Sequence, residues 1–177
     1  RNRYLWSFIL SKQTGVKFKD WINIDLAAEL GYTRLIQQKM NEPDFDSYHI
    51  TEETIDHLKD QDLIIKLHDK GHVGTANSIV NAARDNNIQL IKFLRNWYPV
   101  TDLAITEAAI YGSLKVLVWF HEEKYPFPDN IVDTAIANNR LQVVEYLHSL
   151  GLRSINWFGS DDIKLTKYLH NFEPRYP

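Results

Sequence analysis

Four of the chain's seven histidines occupy equivalent places in the sequence. Histidine binds zinc and transfers protons near neutral pH, so a recurring histidine could indicate a metal or catalytic site. The four each follow the residue that closes an apolar pattern: His68, His121, His148 and His170. If each ends a helix of a stacked repeat, successive imidazoles lie about 8–10 Å apart, whereas one zinc ion needs its ligands at about 2.0–2.1 Å. The spacing therefore favours a structural residue near a helix C-terminus.

Other stretches with reactive residue types also have simpler interpretations. "GHVGTANS" (71–78) precedes a predicted helix and could hold a phosphate, but it lacks the Lys of a P-loop and the third Gly of a dinucleotide fingerprint. The acidic pairs Glu122–Glu123 and Asp161–Asp162 are sequence neighbours, which point about 100° apart on a helix. The chain has no cysteine and no Gly-x-Ser-x-Gly elbow. We therefore predict no catalytic residue, no cofactor and no metal ligand, and a protein that is not an enzyme.

The apolar pattern that surrounds these residues repeats along the chain. Three similar stretches begin 26 and then 27 residues apart: "AARDNNIQLIKFL" (82–94), "AAIYGSLKVLVWF" (108–120) and "AIANNRLQVVEYL" (135–147). With the first Ala of each as the anchor, apolar residues recur three before it and six, nine and twelve after it, a helical spacing. Four after the anchor stand Asn86, Gly112 and Asn139, which tolerate the left-handed conformation that ends helices. Each repeat is predicted to be a helical hairpin that buries its apolar face by stacking on neighbours.

Weaker copies extend the pattern toward both ends of the chain. Ala27 with Gly31 matches the anchor and the turn, and Ile55 belongs to a degenerate copy. "DDIKLTKYLHNF" (161–172) resembles a second helix alone. We therefore predict an all-α chain of stacked helix-turn-helix hairpins, with residues 1–177 in a single repeat domain. Its predicted parts are an N-terminal capping segment (1–23), the repeats (24–150) and a C-terminal cap (151–177).

"NAARDNNIQLIKFLRNWY" (81–98) and "EAAIYGSLKVLVWFHEEKY" (107–125) resemble ankyrin repeats, in which two Ala open an inner helix, a Gly turns the chain and paired apolar residues line an outer helix. The resemblance covers roughly residues 24–150 and implies an ankyrin-like solenoid that holds other proteins. Ankyrin units run to about 33 residues, and these shorter ones lack Thr-Pro-Leu-His. We therefore expect the projecting β-hairpin finger to be reduced to a short loop. Similar trimmed units are found in proteins of large DNA viruses, amoebae and intracellular bacterial effectors.

Charge and composition indicate which kinds of partner and which compartment to expect. A net charge of −3 and a pI near 6.2 argue against a general nucleic-acid binder, since phosphate affinity comes from clustered Lys and Arg. The absence of cysteine fits a reducing compartment. We therefore expect a cytoplasmic or otherwise intracellular location, including the cytoplasm of a host cell. The apolar run "YLWSFIL" (4–10) is far shorter than the roughly 20 residues that span a bilayer, and no membrane partner is expected.

Aromatic side chains stand where connections between repeats would normally be polar. Four follow the predicted outer helices and one ends an inner helix. Together with one arginine they are the candidate protein-binding residues: Arg84, Trp97, Tyr98, Tyr111, Tyr125 and Phe127. Trp, Tyr and Arg are enriched at binding hot spots. The alternative is that the rings pack over the loops and cover the edge of the array.

The sequence thus predicts a non-enzymatic protein–protein interaction module whose partner is another protein. Two alternatives stay open. The chain could be the substrate-recognition part of a larger enzyme or effector, a hypothesis prompted by Arg1 in place of an initial Met. It could also be a self-associating structural array whose aromatic loops meet a second copy.

Overall fold

The computed structural model describes residues 23–45, 48, 50–155 and 162–172. These residues form eleven helices and no strand, which confirms the all-α prediction. In chain order the helices are α1 (Ile24–Glu29), α2 (Thr33–Met40), α3 (Glu52–His57), α4 (Gln61–Asp69), α5 (Asn77–Arg84), α6 (Ile88–Leu94), α7 (Asp102–Tyr111), α8 (Leu114–Glu122), α9 (Ile131–Ala137), α10 (Leu141–Ser149) and α11 (Ile163–Phe172). The predicted N-terminal capping segment lies almost wholly outside the described residues, as does part of the C-terminal cap.

The chain divides into two compact units, one up to Thr75 and one from Ala76 onward. In the first unit α1 packs against α2 and α3. In the second unit α7 packs between α5 and α9, and we call these three the inner helices. Each inner helix packs on the outer helix that follows it (α6, α8 or α10), and α6 also packs on α8. The single repeat domain over 1–177 stays a prediction.

The repeated apolar positions form the core of the second unit. The anchors Ala82, Ala108 and Ala135 are all buried, and their small side chains let the inner helices lie close together. Residues nine and twelve after each anchor are also buried: Ile91, Leu94, Leu117, Phe120, Val144 and Leu147. The residue six after each anchor is only half-buried, whereas the residue eight after it is buried. At about 100° per residue, positions eight, nine and twelve share one helix face and position six lies beside it.

The hairpin turns pass through left-handed residues, as the repeats predict. Asn86, Gly112 and Asn139 have φ of 55°, 76° and 57°. In each turn, the backbone amide of the following residue donates to the carbonyl of the Ala anchor: Asn87 to Ala82 (2.9 Å), Ser113 to Ala108 (2.8 Å) and Arg140 to Ala135 (2.9 Å). This is the Schellman arrangement, and it explains why a residue that tolerates positive φ recurs at the turn.

The next hairpin supplies a hydrogen bond to the end of the inner helix before it. The Ser113 hydroxyl donates to the Arg84 carbonyl at 3.0 Å, and Arg140 Nε donates to the Ile110 carbonyl at 2.7 Å. Ser113 and Arg140 each lie five residues after an anchor, so the two bonds are equivalent in the repeat. Carbonyls in the last turn of a helix lack an intrahelical partner. The turn thus caps one helix and joins neighbouring hairpins.

Candidate protein-binding surface

Three of the predicted binding residues pack against other side chains. Tyr98 is only 8% exposed and belongs to the core. Tyr125 is half-buried, with its ring centroid 5.6 Å from that of Phe120. Phe127 is half-buried and lies 6.0 Å from His121. Packing accounts for the burial of all three rings, which is the arrangement that the edge-cover interpretation describes.

Tyr111 and Arg84 lie together on an exposed surface at the C-terminal ends of two inner helices. The Tyr111 side chain is 52% exposed. The Arg84 guanidinium carbon lies 5.3 Å from the centroid of its ring, within cation–π distance. Arg84 Nε also donates to Glu107 Oε2 at 2.8 Å. The guanidinium is therefore fixed between a carboxylate and the exposed ring.

Arg140 lies in a shallow groove beside the same turn. The groove has a volume of about 350 Å³ and is lined by Tyr111, Gly112 and residues 139–143. A Cβ atom at Gly112 would lie 3.0 Å from Arg140 Cδ, so the arginine side chain runs close to the glycine backbone. Its Nε bond to Ile110 fixes the guanidinium. We call Arg84, Tyr111 and Arg140 the turn surface.

Trp97 is the other large, exposed aromatic side chain among the predicted residues. It follows α6 and is 46% exposed, and its ring packs against Phe93 at a centroid distance of 4.8 Å. Trp97 is therefore supported by one neighbouring ring and still leaves much of its surface in water. An indole held in this way can contact a partner without first becoming ordered.

An ion pair joins the ends of successive outer helices close to Trp119. Arg95 Nη1 lies 2.8 Å from Glu123 Oε2, and this hydrogen bond lowers the pKa of Glu123 and raises that of Arg95. The Arg95 guanidinium also lies 5.5 Å from the centroid of the buried Trp119 indole, and Lys92 Nζ lies 5.7 Å from it. The cluster holds α6 on α8. This ion pair could not be predicted from the sequence, because partners 28 residues apart carry no local signal.

The four equivalent histidines all lie in the last turn of a helix, as predicted. Their environments differ. His148 is buried and stacks on Tyr168 at a centroid distance of 5.6 Å, whereas His121 and His170 are exposed. Burial lowers the pKa of His148, and the charge of Arg153 adds to that effect. Within the described ranges no three His, Asp or Glu side chains are grouped as metal ligands would be. The predicted absence of metal, cofactor and catalysis stays a prediction.

The first part of the 71–78 stretch, up to Thr75, is held by a carboxylate of the first unit. The Thr75 amide and hydroxyl donate to Asp56 Oδ1 and Oδ2 at 2.7 and 2.6 Å. A phosphate in this loop would meet that negative charge. The geometry therefore agrees with a connecting loop rather than a phosphate site. Asp56, which holds the loop, belongs to no motif that could have been recognised in the sequence.

One polar cluster in the first unit has residue types that also occur in active sites. Lys39 Nζ lies 3.0 Å from Glu42 Oε2 and 3.1 Å from the Tyr48 hydroxyl, and that hydroxyl donates to Glu42 at 2.6 Å. Lys39 is buried. The pKa of Glu42 is lowered, chiefly by the hydrogen bond from Tyr48 and next by the hydrogen bond from Lys39. The three groups satisfy one another, which is a sufficient structural reason for their proximity.

The chain was compared with protein-family models, with curated proteins and with solved structures, and none of the three comparisons found a match. Function must therefore be argued from the chain's own residues. Within the part of the chain that the structure describes, no helix is long and apolar enough to cross a membrane.

Proposed function

We propose that this chain is a non-enzymatic protein-interaction module built from ankyrin-like hairpin repeats. Three features of the second unit support the proposal: inner helices packed side by side, a left-handed turn at the same repeat position and a Schellman bond to each Ala anchor. Stacked helical repeats present extended surfaces that bind other proteins. The first unit has one hairpin of the same kind, where Gly31 has φ of 75° and the Tyr32 amide donates to Ala27 at 2.8 Å.

The observation that carries the proposal is the exposure of two supported aromatic side chains. Tyr111 and Trp97 leave about half of their surface in water, and each ring has a neighbour that supports it: Arg84 lies over Tyr111, and Phe93 packs against Trp97. Large apolar surface in water has a free-energy cost that binding would recover. A supported side chain also loses little conformational entropy on binding. Aromatic and Arg side chains with these properties are typical binding hot spots.

The proposal is tested by capture of proteins from a cell lysate on the immobilised chain, with the captured proteins quantified by mass spectrometry. We compare the wild type with the Trp97→Ala/Tyr111→Ala double variant. The matched control is Ile65→Ala/Val73→Ala, which removes two exposed apolar side chains from the first unit. Circular dichroism melting establishes that each variant is folded.

A partner that both wild type and control retain and the aromatic variant loses supports a binding surface at Trp97 and Tyr111. Equal capture by all three proteins would place binding elsewhere, and no specific capture by any of them would contradict an interaction module. In either case the two aromatics would be edge cover.

A further inference from the structure

We propose that the groove beside Tyr111 binds an acidic segment of a partner protein, with Arg140 pairing to an Asp or Glu carboxylate. This inference rests on the proposed function and specifies the chemistry of the partner. The site lies at the turn between an inner and an outer helix, with Tyr111 on one hairpin and Arg140 on the next. It therefore exists only where two hairpins stack.

Arg140 is oriented for this task by its own hydrogen bond. Nε donates to the Ile110 carbonyl at 2.7 Å, which fixes the plane of the guanidinium while the residue as a whole remains exposed. A guanidinium has five N–H donors, and the four on its terminal nitrogens have no hydrogen-bond acceptor among the residues that the structure describes. Two of these can form parallel hydrogen bonds with the oxygens of one carboxylate. A guanidinium fixed beforehand loses little entropy in forming that pair.

The charges around the groove favour an anionic occupant. The charge of Arg84 is matched by Glu107, whose carboxylate lies 2.8 Å away. The only side-chain hydrogen bond of Arg140 within the described residues goes to a neutral carbonyl, and no described carboxylate lies within ion-pair distance of it. The positive charge of Arg140 is therefore unmatched by any carboxylate in the described part of the chain. The Tyr111 ring beside it offers an apolar contact to the residue next to the acid.

A protein segment fits this groove better than a nucleic acid does. Phosphate-binding surfaces depend on several clustered cations, whereas this groove has one unmatched arginine in a chain of net charge −3. A volume of about 350 Å³ suits one or two side chains of a peptide. We therefore expect an Asp or Glu next to an apolar or aromatic residue.

The test uses a library of random eight-residue peptides displayed on phage and selected on the full chain. Affinities of a selected peptide are then measured by fluorescence anisotropy. The same peptide with its acid replaced by the amide, Glu→Gln or Asp→Asn, is measured on the wild-type protein and needs no protein variant. We compare Arg140→Gln and Arg140→Lys with two controls: Arg84→Gln, whose charge is already matched, and Arg34→Gln, an exposed arginine of the first unit.

We expect acidic residues to be enriched beside apolar ones, and binding to weaken at least about tenfold on Arg140→Gln or on the amide peptide. Arg140→Lys should fall between Gln and wild type, because it keeps the charge and loses the paired donors. Arg84→Gln should have a smaller effect and Arg34→Gln none. Selected peptides without acidic enrichment, no selected peptide at all, or equal binding to Arg140→Gln would overturn the inference. Tighter, Arg140-dependent binding of a single-stranded oligonucleotide would also overturn it, in favour of a nucleic-acid ligand.

The inference and the proposed function fail separately. A lysate partner that Trp97→Ala/Tyr111→Ala loses and Arg140→Gln retains would leave an interaction module without the acidic ligand. Failure of both the lysate capture and the peptide selection would contradict both proposals.

Discussion

The guanidinium of Arg84 lies over the ring of Tyr111, 5.3 Å from its centroid, although the two residues end different inner helices. Glu107, one turn before Tyr111 on α7, accepts a hydrogen bond from the same arginine. Arg84 therefore contacts its neighbouring helix at two places. The contact couples the stacking of two hairpins to the orientation of an exposed aromatic side chain, so the proposed binding surface depends on the core beneath it.

The Ala anchors set how closely the inner helices pack. Ala108 is fully buried on α7, which packs against both α5 and α9. Ala108→Leu should overpack that interface and lower the free energy of unfolding by about 1–3 kcal/mol. The exposed Ala137, in the last turn of α9, provides the control Ala137→Leu, which should cost far less. Denaturant unfolding measures both, and equal losses would mean that the anchor is not the close-packed position.

The hydrogen bond from Ser113 to the Arg84 carbonyl should contribute to the stacking of hairpins. Ser113 is 3% exposed, and removal of its hydroxyl leaves a carbonyl in the last turn of α5 without that donor. We expect Ser113→Ala to lower the free energy of unfolding by about 1–2 kcal/mol. Ser149→Ala removes an exposed hydroxyl whose bond stays within its own helix and should change stability little. A Ser113→Ala melting curve equal to that of Ser149→Ala would show that the inter-hairpin bond adds nothing.

Substitutions at two left-handed glycines can distinguish the cost of backbone strain from the cost of a clash with Arg140. Gly112 and Gly151 have φ of 76° and 84°, but only at Gly112 would a Cβ meet another residue, Arg140 Cδ at 3.0 Å. Each Gly→Ala change should cost about 1–2 kcal/mol from the left-handed backbone. Gly112→Ala should cost more than Gly151→Ala in thermal unfolding, and it alone should weaken the binding of acidic peptides. If both variants bind peptide like wild type, Arg140 does not depend on the glycine.

Burial of His148 predicts a loss of stability in mild acid. Burial and the nearby Arg153 hold its folded-state pKa below the ordinary value of about 6.5. Below pH 6.5 the unfolded chain binds more protons at this histidine than the folded chain does. The stability that neutral His148 contributes is therefore fully present above pH 6.5 and is lost as the pH falls from there toward the folded-state pKa. The free energy of unfolding, measured with denaturant, should differ less between pH 7.5 and pH 5.5 for His148→Leu than for wild type. Burial also lowers the pKa of His68, so His68 would account for part of the pH-dependent difference that remains in the variant. An unchanged difference in the variant would contradict the assignment.

The sequence predicted features that depend on local geometry and on the repeat. Gly112 and its counterparts Asn86 and Asn139 could be recognised because a left-handed turn restricts residue type, and the structure has positive φ at each. Lys124 also has positive φ, at 63°, yet a lysine carries no signal for that conformation. The turn of the degenerate copy differs from the others, since Leu58 is extended with φ of −74° and ψ of 143°. Its sequence departs from the pattern at that turn.

The exposure of the candidate residues could be predicted only in part. Residue type and repeat position selected Tyr111 and Trp97, which the structure exposes, but the same reasoning included Tyr98, which lies in the core. Arg140 was missed because its importance depends on a bond to Ile110, 30 residues earlier. Contacts between successive hairpins follow from how closely the helices stack, and no single repeat encodes that distance.

The most direct test of an interaction module places a photoreactive amino acid, p-benzoylphenylalanine, at position 111 and at the control position 103. Leu103, near the start of α7, is 50% exposed and so matches Tyr111 in accessibility. After irradiation in a cell lysate, crosslinked products are resolved by mass and identified by mass spectrometry. We expect a discrete crosslinked protein at position 111 that is absent at position 103. No discrete product at position 111, or the same products at both positions, would contradict it.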